Sequence, residues 1–130
     1  MLNIGDLMLK YTAICDKDIL DAIHNEIFGG EYPKAIGFVL YDETKPIGLA
    51  QITINSDVSH IEKIGIIPSE RGKRNGDFFT RSIIWGLSHA SEKIITDFDS
   101  SYFTKFGFVK DGTNMTCLSK DVVFPCDCHK

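Results

Sequence analysis

The sequence predicts a mixed α/β (α+β) domain, with a largely antiparallel central sheet flanked by helices. Three observations carry that reading. Between Ala35 and Ile67, apolar β-branched runs alternate with short turns, the pattern of a strand meander. Two other stretches, one opening at Asp16 and one at Asp77, space their apolar residues at helical intervals. Near the end, Phe108-Val109 and Met115 to Leu118 flank a polar turn and read as a closing hairpin.

Taken in order, Met8 to Cys15 reads as a first strand. Asp16 is placed to cap a helix, on which Ile19, Ile23 and Ile27 form one apolar stripe. Gly29-Gly30 ends this helix by supplying the left-handed backbone that a C-terminus favours. Ala35 to Tyr41 and Ile47 to Ile54 read as strands joined by the Asp42–Pro46 turn. Val58 to Ile67 follows the Asn55-Ser56-Asp57 turn as a third strand of an antiparallel meander. On the next helix, Phe79, Ile83, Leu87 and Ala90 share a face. Phe78 and Trp85 form a second line, to be met by a neighbouring element or by another subunit. Lys93 to Phe98 is the next strand, and Asp99 is expected to cap a short helix from Ser100 to Phe106 that stops at Gly107. Val122-Val123-Phe124 is apolar enough for a last strand. His24 and His89 are expected on exposed polar faces of their helices.

The 130 residues suit a single domain covering 1-130, with 43% hydrophobic and 25% charged residues. No apolar run reaches the ~18 residues of a membrane span, and no signal-peptide pattern opens the chain, so a cytoplasmic location is expected. A formal net charge of −4 argues against a general nucleic-acid binder. The four cysteines are expected as thiols. Cys126-Asp127-Cys128-His129 looks like a soft-metal site, but no clear fourth ligand completes it and no metal is expected.

The chemistry concentrates in one segment. Ile64-Gly65-Ile66-Ile67 is stopped by Pro68, and Arg71-Gly72-Lys73-Arg74-Asn75-Gly76 then leads into the helix at Asp77. A strand, a cationic glycine loop and a helix start bring free N–H groups and a positive dipole end together, which suits phosphate. The spacing fits neither the Walker P-loop nor the Rossmann fingerprint. A solvated turn with chance cations is the plain alternative.

This segment resembles the signature of the GNAT (GCN5-related) N-acetyltransferases: an apolar strand, a proline, then Arg/Gln-x-x-Gly-x-Gly/Ala entering a helix. Tyr102-Phe103-Thr104-Lys105-Phe106-Gly107-Phe108 is similar to the family's later Phe-Tyr-x-Lys-x-Gly-Phe motif. The resemblance spans about Ala35 to Val109. It implies acetyl-CoA as co-substrate, with its pyrophosphate on the backbone of Arg71, Gly72, Lys73, Arg74, Asn75, Gly76 and Asp77. It also implies that Ile64, Gly65 and Ile66 hold the pantetheine arm, with Gly65 easing a bulge, and that Phe103 lies beside the cofactor. Two departures stand out. Arg74 replaces the first glycine of the Gly-x-Gly pair, and Phe103 falls where the family often has an acidic tyrosine. The adjacent Tyr102, about 100° away on a helix, is the remaining hydroxyl.

An amine acceptor must be deprotonated before it attacks a thioester. His60 and Glu62 share one face of the strand before the loop, and either is a candidate base; ordinary sheet positions near solvent are the competing reading. Asp97 and Asp99 could attract a cationic substrate or serve the loop. The expected function is transfer of an acetyl group from acetyl-CoA to a primary amine, small molecule or peptide, by direct attack in a ternary complex. The alternative is a non-catalytic acyl-CoA-binding or sensing module. The expected partners are acetyl-CoA and an amine acceptor, with no nucleic acid and no membrane, in a monomer or homodimer.

Overall fold

The computed structural model describes residues 9–125, so Met8 and the Cys126, Cys128 and His129 tail lie outside the described residues. Seven strands are present: β1 (Leu9–Ile14), β2 (Gly37–Asp42), β3 (Lys45–Thr53), β4 (Val58–Ile66), β5 (Lys93–Thr96), β6 (Val109–Asp111) and β7 (Asn114–Leu118). They form one sheet in the order β1-β2-β3-β4-β5-β7-β6. Among the described residues two α-helices accompany them, α1 (Lys17–Ile27) and α2 (Asn75–Ala90). The pairs β1/β2, β2/β3, β5/β7 and β6/β7 are antiparallel, while β4 and β5 run parallel with α2 as their connection. The sheet is therefore mixed and largely antiparallel, as the sequence predicts. No helix among the described residues is long and apolar enough to cross a membrane.

The chain forms two compact units, the first running to Gln51 and adding Lys63–Thr80. In it, Asp16 caps α1 by accepting the N–H groups of Asp18 and Ile19 at 3.1 and 3.3 Å. The buried face of α1 is Leu20, Ile23 and His24, with Ile19 and Ile27 half-buried at its margins. The stripe is thus rotated from the expected one, and His24 is a correction: it is buried at 3% exposure, not on a polar face. Its ring lies against Phe28 and Tyr32, and both of its nitrogens have partners, which makes burial tolerable. Asp21 ties the following connector to α1. It accepts the Tyr32 N–H at 2.9 Å and pairs with Lys17 at 2.9 Å. The Tyr32 hydroxyl in turn donates to the Ile36 carbonyl at 2.8 Å. Val39, Leu40, Ile47 and Leu49, all with no measurable exposure, form the unit's core with Phe79 from the start of α2.

The second unit comprises Ile52–Glu62 and the chain from Arg81 onward. Ile83, Ile84 and Leu87 of α2 are buried, whereas Ala90 is exposed. Trp85 is 57% exposed and stacks on the exposed His89 with centroids 4.3 Å apart. Phe103, Phe106 and Phe108 make an aromatic core. Two expectations are corrected here, while the expected short helix is present as a 3-10 helix, Ser101–Phe106, ending at Gly107. Its cap is Ser100, whose hydroxyl accepts the Tyr102 N–H at 3.3 Å; Asp99 instead pairs with Lys110 at 3.0 Å. Residues 122–124 add no strand: Val123 donates a single backbone bond to Phe106, and Phe124 covers the Phe106 ring.

Candidate active site

β4 and the loop after it carry most of the candidate residues along one stretch of chain, with Tyr102 and Phe103 later in the sequence. The pairing of β4 with β5 ends at Ile61↔Thr96, but the strand continues to Ile66. The Ile61 carbonyl accepts the Asp97 N–H at 3.0 Å on the β5 side, while the Ile67 N–H donates to Ile47 of β3 at 2.9 Å. Strict alternation would aim positions 61 and 67 the same way, so the backbone shifts by one residue between them.

Gly65 lies in this shifted stretch, and it is glycine for reasons of space. A Cβ there would stand 2.8 Å from Ile27 and 3.1 Å from Phe28, so α1 can approach β4 only over a bare backbone. The Gly65 carbonyl lies toward Gly48 of β3. By alternation, the groups turned away from β3 belong to Ile64 and Ile66. The Ile66 carbonyl already accepts a bond from Arg71 Nε at 2.9 Å. Gly65 therefore serves packing, and the strand's usable polar edge is that of Ile64 and Ile66.

Pro68 begins a 3-10 turn, Pro68–Glu70, where its fixed φ suits a first helical position. The loop then takes left-handed backbone at alternate residues, with φ of 81° at Gly72 and 65° at Arg74. Left-handed backbone in such a turn is one of the ways a chain can aim N–H groups at an anion. A Cβ on Gly72 would touch nothing, so its glycine serves φ alone. Arg74 adopts the same φ without that freedom, at a cost of about 1 kcal/mol. The motif's glycine is missing, and Arg74 in its place still has a left-handed φ.

α2 opens at Asn75, two residues ahead of the expected Asp77. Its first-turn N–H groups, those of Asn75, Gly76 and Asp77, carry the positive end of the helix dipole. The Asn75 side chain is buried and donates to the Glu70 carbonyl at 3.1 Å, closing the loop on itself. Lys73 and Lys45 hold the two oxygens of Glu70 at 3.3 and 3.4 Å. The Lys73 hydrogen bond, with help from Lys45, keeps the Glu70 carboxyl below its usual range. The Arg74 guanidinium stands 3.8 Å from the Asp77 carboxylate. Cations (Lys45, Arg71, Lys73 and Arg74) outnumber carboxylates (Glu70 and Asp77) around this segment, so it is positive.

The first half of β4 carries the candidate bases. Glu62 accepts a bond from the Thr53 hydroxyl at 2.6 Å. His60 Nδ1 lies 3.2 Å from Asp97 Oδ1, with both side chains over one-third exposed. Neither Thr53 nor the His60–Asp97 pairing was visible in the sequence. The pairing follows from the parallel register, which sets His60 beside Ile95, and no local pattern announces such a register. Tyr102 is half-buried, its ring 4.4 Å from the Lys105 ammonium and T-shaped against Phe103 and Phe106. Phe103 is 2% exposed among Phe98, Tyr102, Phe106 and Phe108. Its ring is core, which corrects the expectation that it lies beside a cofactor.

The first unit also holds a cavity of about 440 Å³. Ile19, Ile23 and Pro46 supply apolar walls, and Asp18, Glu26 and Lys45 supply charge. Ile67 and Ser69 border it, but none of residues 71–77 does.

No protein-family model matches the sequence. No curated protein matches it either. Solved structures do, and they define the class: the fold is that of the GNAT acetyltransferases. The ribosomal-protein-S18-alanine N-acetyltransferase from Escherichia coli matches with a TM-score of 0.69 and 11% identity, over 95% of this chain and 99% of that chain. A GNAT family acetyltransferase from Brucella melitensis, in complex with acetyl-CoA, matches at 0.64 and 10%, over 84% and 88%. A longer chain from Pyrococcus horikoshii matches at 0.65 and 14%, over 80% of this chain and only 44% of its own length.

Proposed function

We propose that the protein is an N-acyltransferase that moves an acetyl group from acetyl-CoA to a primary amine by direct attack in a ternary complex. The observation that carries this reading is the cationic loop with left-handed backbone at Gly72 and Arg74, leading into α2. A pyrophosphate needs several N–H donors with positive charge around them, and the open N–H groups at the start of α2 beside Arg71, Lys73 and Arg74 suit it. Structures of the same fold that hold acetyl-CoA support the choice of anion. Ile64 and Ile66 would offer backbone bonds to the pantetheine arm along the edge turned away from β3.

The amine must lose a proton before its lone pair can attack. His60 can take it: an Nδ1–H donated to Asp97 leaves Nε2 with a free lone pair. Glu62, held by Thr53, is the second candidate. Phe103 has no proton to give, so the thiolate leaves without help from that position.

Thermal shift with CoA and acetyl-CoA tests binding. A ligand at about 100 times its Kd should raise stability by about 2.7 kcal/mol. Thiol release with acetyl-CoA and a panel of polyamines, amino acids, aminoglycosides and peptides tests transfer. Stabilisation by CoA with no thiol release from any amine would sink the catalytic claim. It would favour a non-catalytic acyl-CoA-binding module, the reading to which the apolar Phe103 points.

A further inference from the structure

The first unit contains an amine already equipped with a base. Lys63 Nζ lies 2.8 Å from His24 Nε2. The other ring nitrogen, Nδ1, lies 3.0 Å from the Gly30 carbonyl oxygen. A carbonyl only accepts, so Nδ1 must carry the hydrogen and Nε2 presents its lone pair to Lys63. The imidazole is 3% exposed and wedged against Phe28 and Tyr32, so it is held in that orientation. Lys63 is half-buried, and its ammonium also stands 5.3 Å from the centre of the Phe28 ring. Among the described residues no carboxylate pairs with it. A lysine facing an imidazole lone pair, with no carboxylate to pin its charge, can pass its proton across one hydrogen bond.

Lys63 is also the residue immediately before Ile64, on the strand assigned above to the pantetheine arm. We infer that Lys63 is a site of self-acylation, its ε-amine taking the acyl group of bound acyl-CoA with His24 as the base. This rests on the acyl-CoA reading above. In the step, the Lys63 ammonium gives one proton to His24 Nε2, and the freed lone pair attacks the thioester carbonyl. The Nζ–C bond forms and the C–S bond breaks. CoA leaves as the thiolate and takes up the second amine proton, so the products are an amide, the thiol and a protonated His24. The new amide oxygen is an acceptor for the proton that His24 has gained. Once His24 returns its proton to solvent, the modified chain carries one positive charge fewer between α1 and β4, and the amide cannot be passed on to a second amine.

The test incubates the full chain with acetyl-CoA and follows acetylation at each lysine by peptide mapping. Exposed Lys105 and Lys120 serve as internal references for uncatalysed reaction. Lys63 should react roughly 100-fold faster than either, the scale of a positioned general base. His24→Gln should bring it down toward the reference rate, with thermal melting used to verify folding. Lys63→Arg should abolish the modification while keeping the CoA-induced thermal shift, which holds the inference open to test even if His24→Gln does not fold. Two results overturn it, and they are distinguishable. CoA-induced stabilisation with Lys63 acetylated no faster than Lys120 rejects self-acylation and leaves the proposed function standing. Absence of any CoA-induced stabilisation rejects the acyl-CoA reading, and the inference falls with its donor.

Discussion

His60 Nδ1 and Asp97 Oδ1 are 3.2 Å apart, joined across the parallel seam between β4 and the end of β5. Asp97 is itself fixed by its backbone bond to Ile61. The imidazole is thereby oriented with Nε2 outward. Asp97→Asn should lower kcat by about tenfold, and His60→Gln by about 100-fold if His60 is the base. The CoA-induced thermal shift should stay as in the wild type for both. If Glu62→Gln abolishes thiol release while His60→Gln does not, the base is Glu62.

Arg74 occupies a left-handed backbone that only glycine adopts without cost. Arg74→Gly should therefore raise stability by about 1 kcal/mol. For a chain of this size that is an increase in Tm of about 4 °C. Its exposed pair with Asp77, at 3.8 Å, offsets little of this gain. A lower Tm would show that the side chain holds the loop more strongly than its backbone strains it.

Gly65 tolerates no side chain. Gly65→Ala forces its Cβ against Ile27 and Phe28 and should cost about 1–3 kcal/mol, read from chemical denaturation. Ile27→Ala in the same chain should recover part of that loss, since it removes the nearer obstacle. Simple additivity of the two losses would mean the clash is relieved elsewhere.

Glu70 and Asp21 set an acid limit on folding. Glu70 is held below its usual value by Lys73 and then Lys45, and Asp21 by Lys17 and then the Tyr32 N–H. A depressed carboxyl stabilises the fold above its unfolded value, and that contribution is lost as pH falls through the folded value. Thermal stability should accordingly decline as pH drops below about 4, the ordinary carboxylate range. The double variant Asp21→Asn, Glu70→Gln should flatten this decline. Glu70→Gln alone should tighten CoA binding at neutral pH, because it removes a negative charge from beside the loop.

Cys117 is 4% exposed, and burial pushes its thiol above the usual range, with a smaller contribution from the Asp121 charge. Cys15 is exposed. An alkylating reagent at mildly alkaline pH should label Cys15 in the native protein and reach Cys117 only on unfolding, as read by peptide mapping. Equal labelling rates would mean that the β7 region opens locally.

The loop was legible in the sequence because Pro68, Gly72 and the apolar run before them act locally. The caps were half legible: Asp16 is where the pattern puts it, whereas Ser100 and Asp99 are both good capping residues one step apart, and only the folded backbone chooses between them. His24 was misread because a histidine among Asp, Asn and Glu on a helix looks solvated. Its burial depends on Lys63 and Gly30, which no helical spacing connects to it. The pairing of Asp97 with His60, and Thr53 altogether, escaped notice for the same reason. Each gains its partner through strand register, a property of two segments that neither encodes alone.

The lock on His24 also makes its ring a natural probe. With Nδ1–H committed to the Gly30 carbonyl, the two nitrogens are chemically distinct, and a change at Lys63 acts on the ring through Nε2. Nitrogen-15 spectra of this one imidazole would therefore report, without a dye or an added label near the loop, whether Lys63 is charged, shielded by a ligand or acylated.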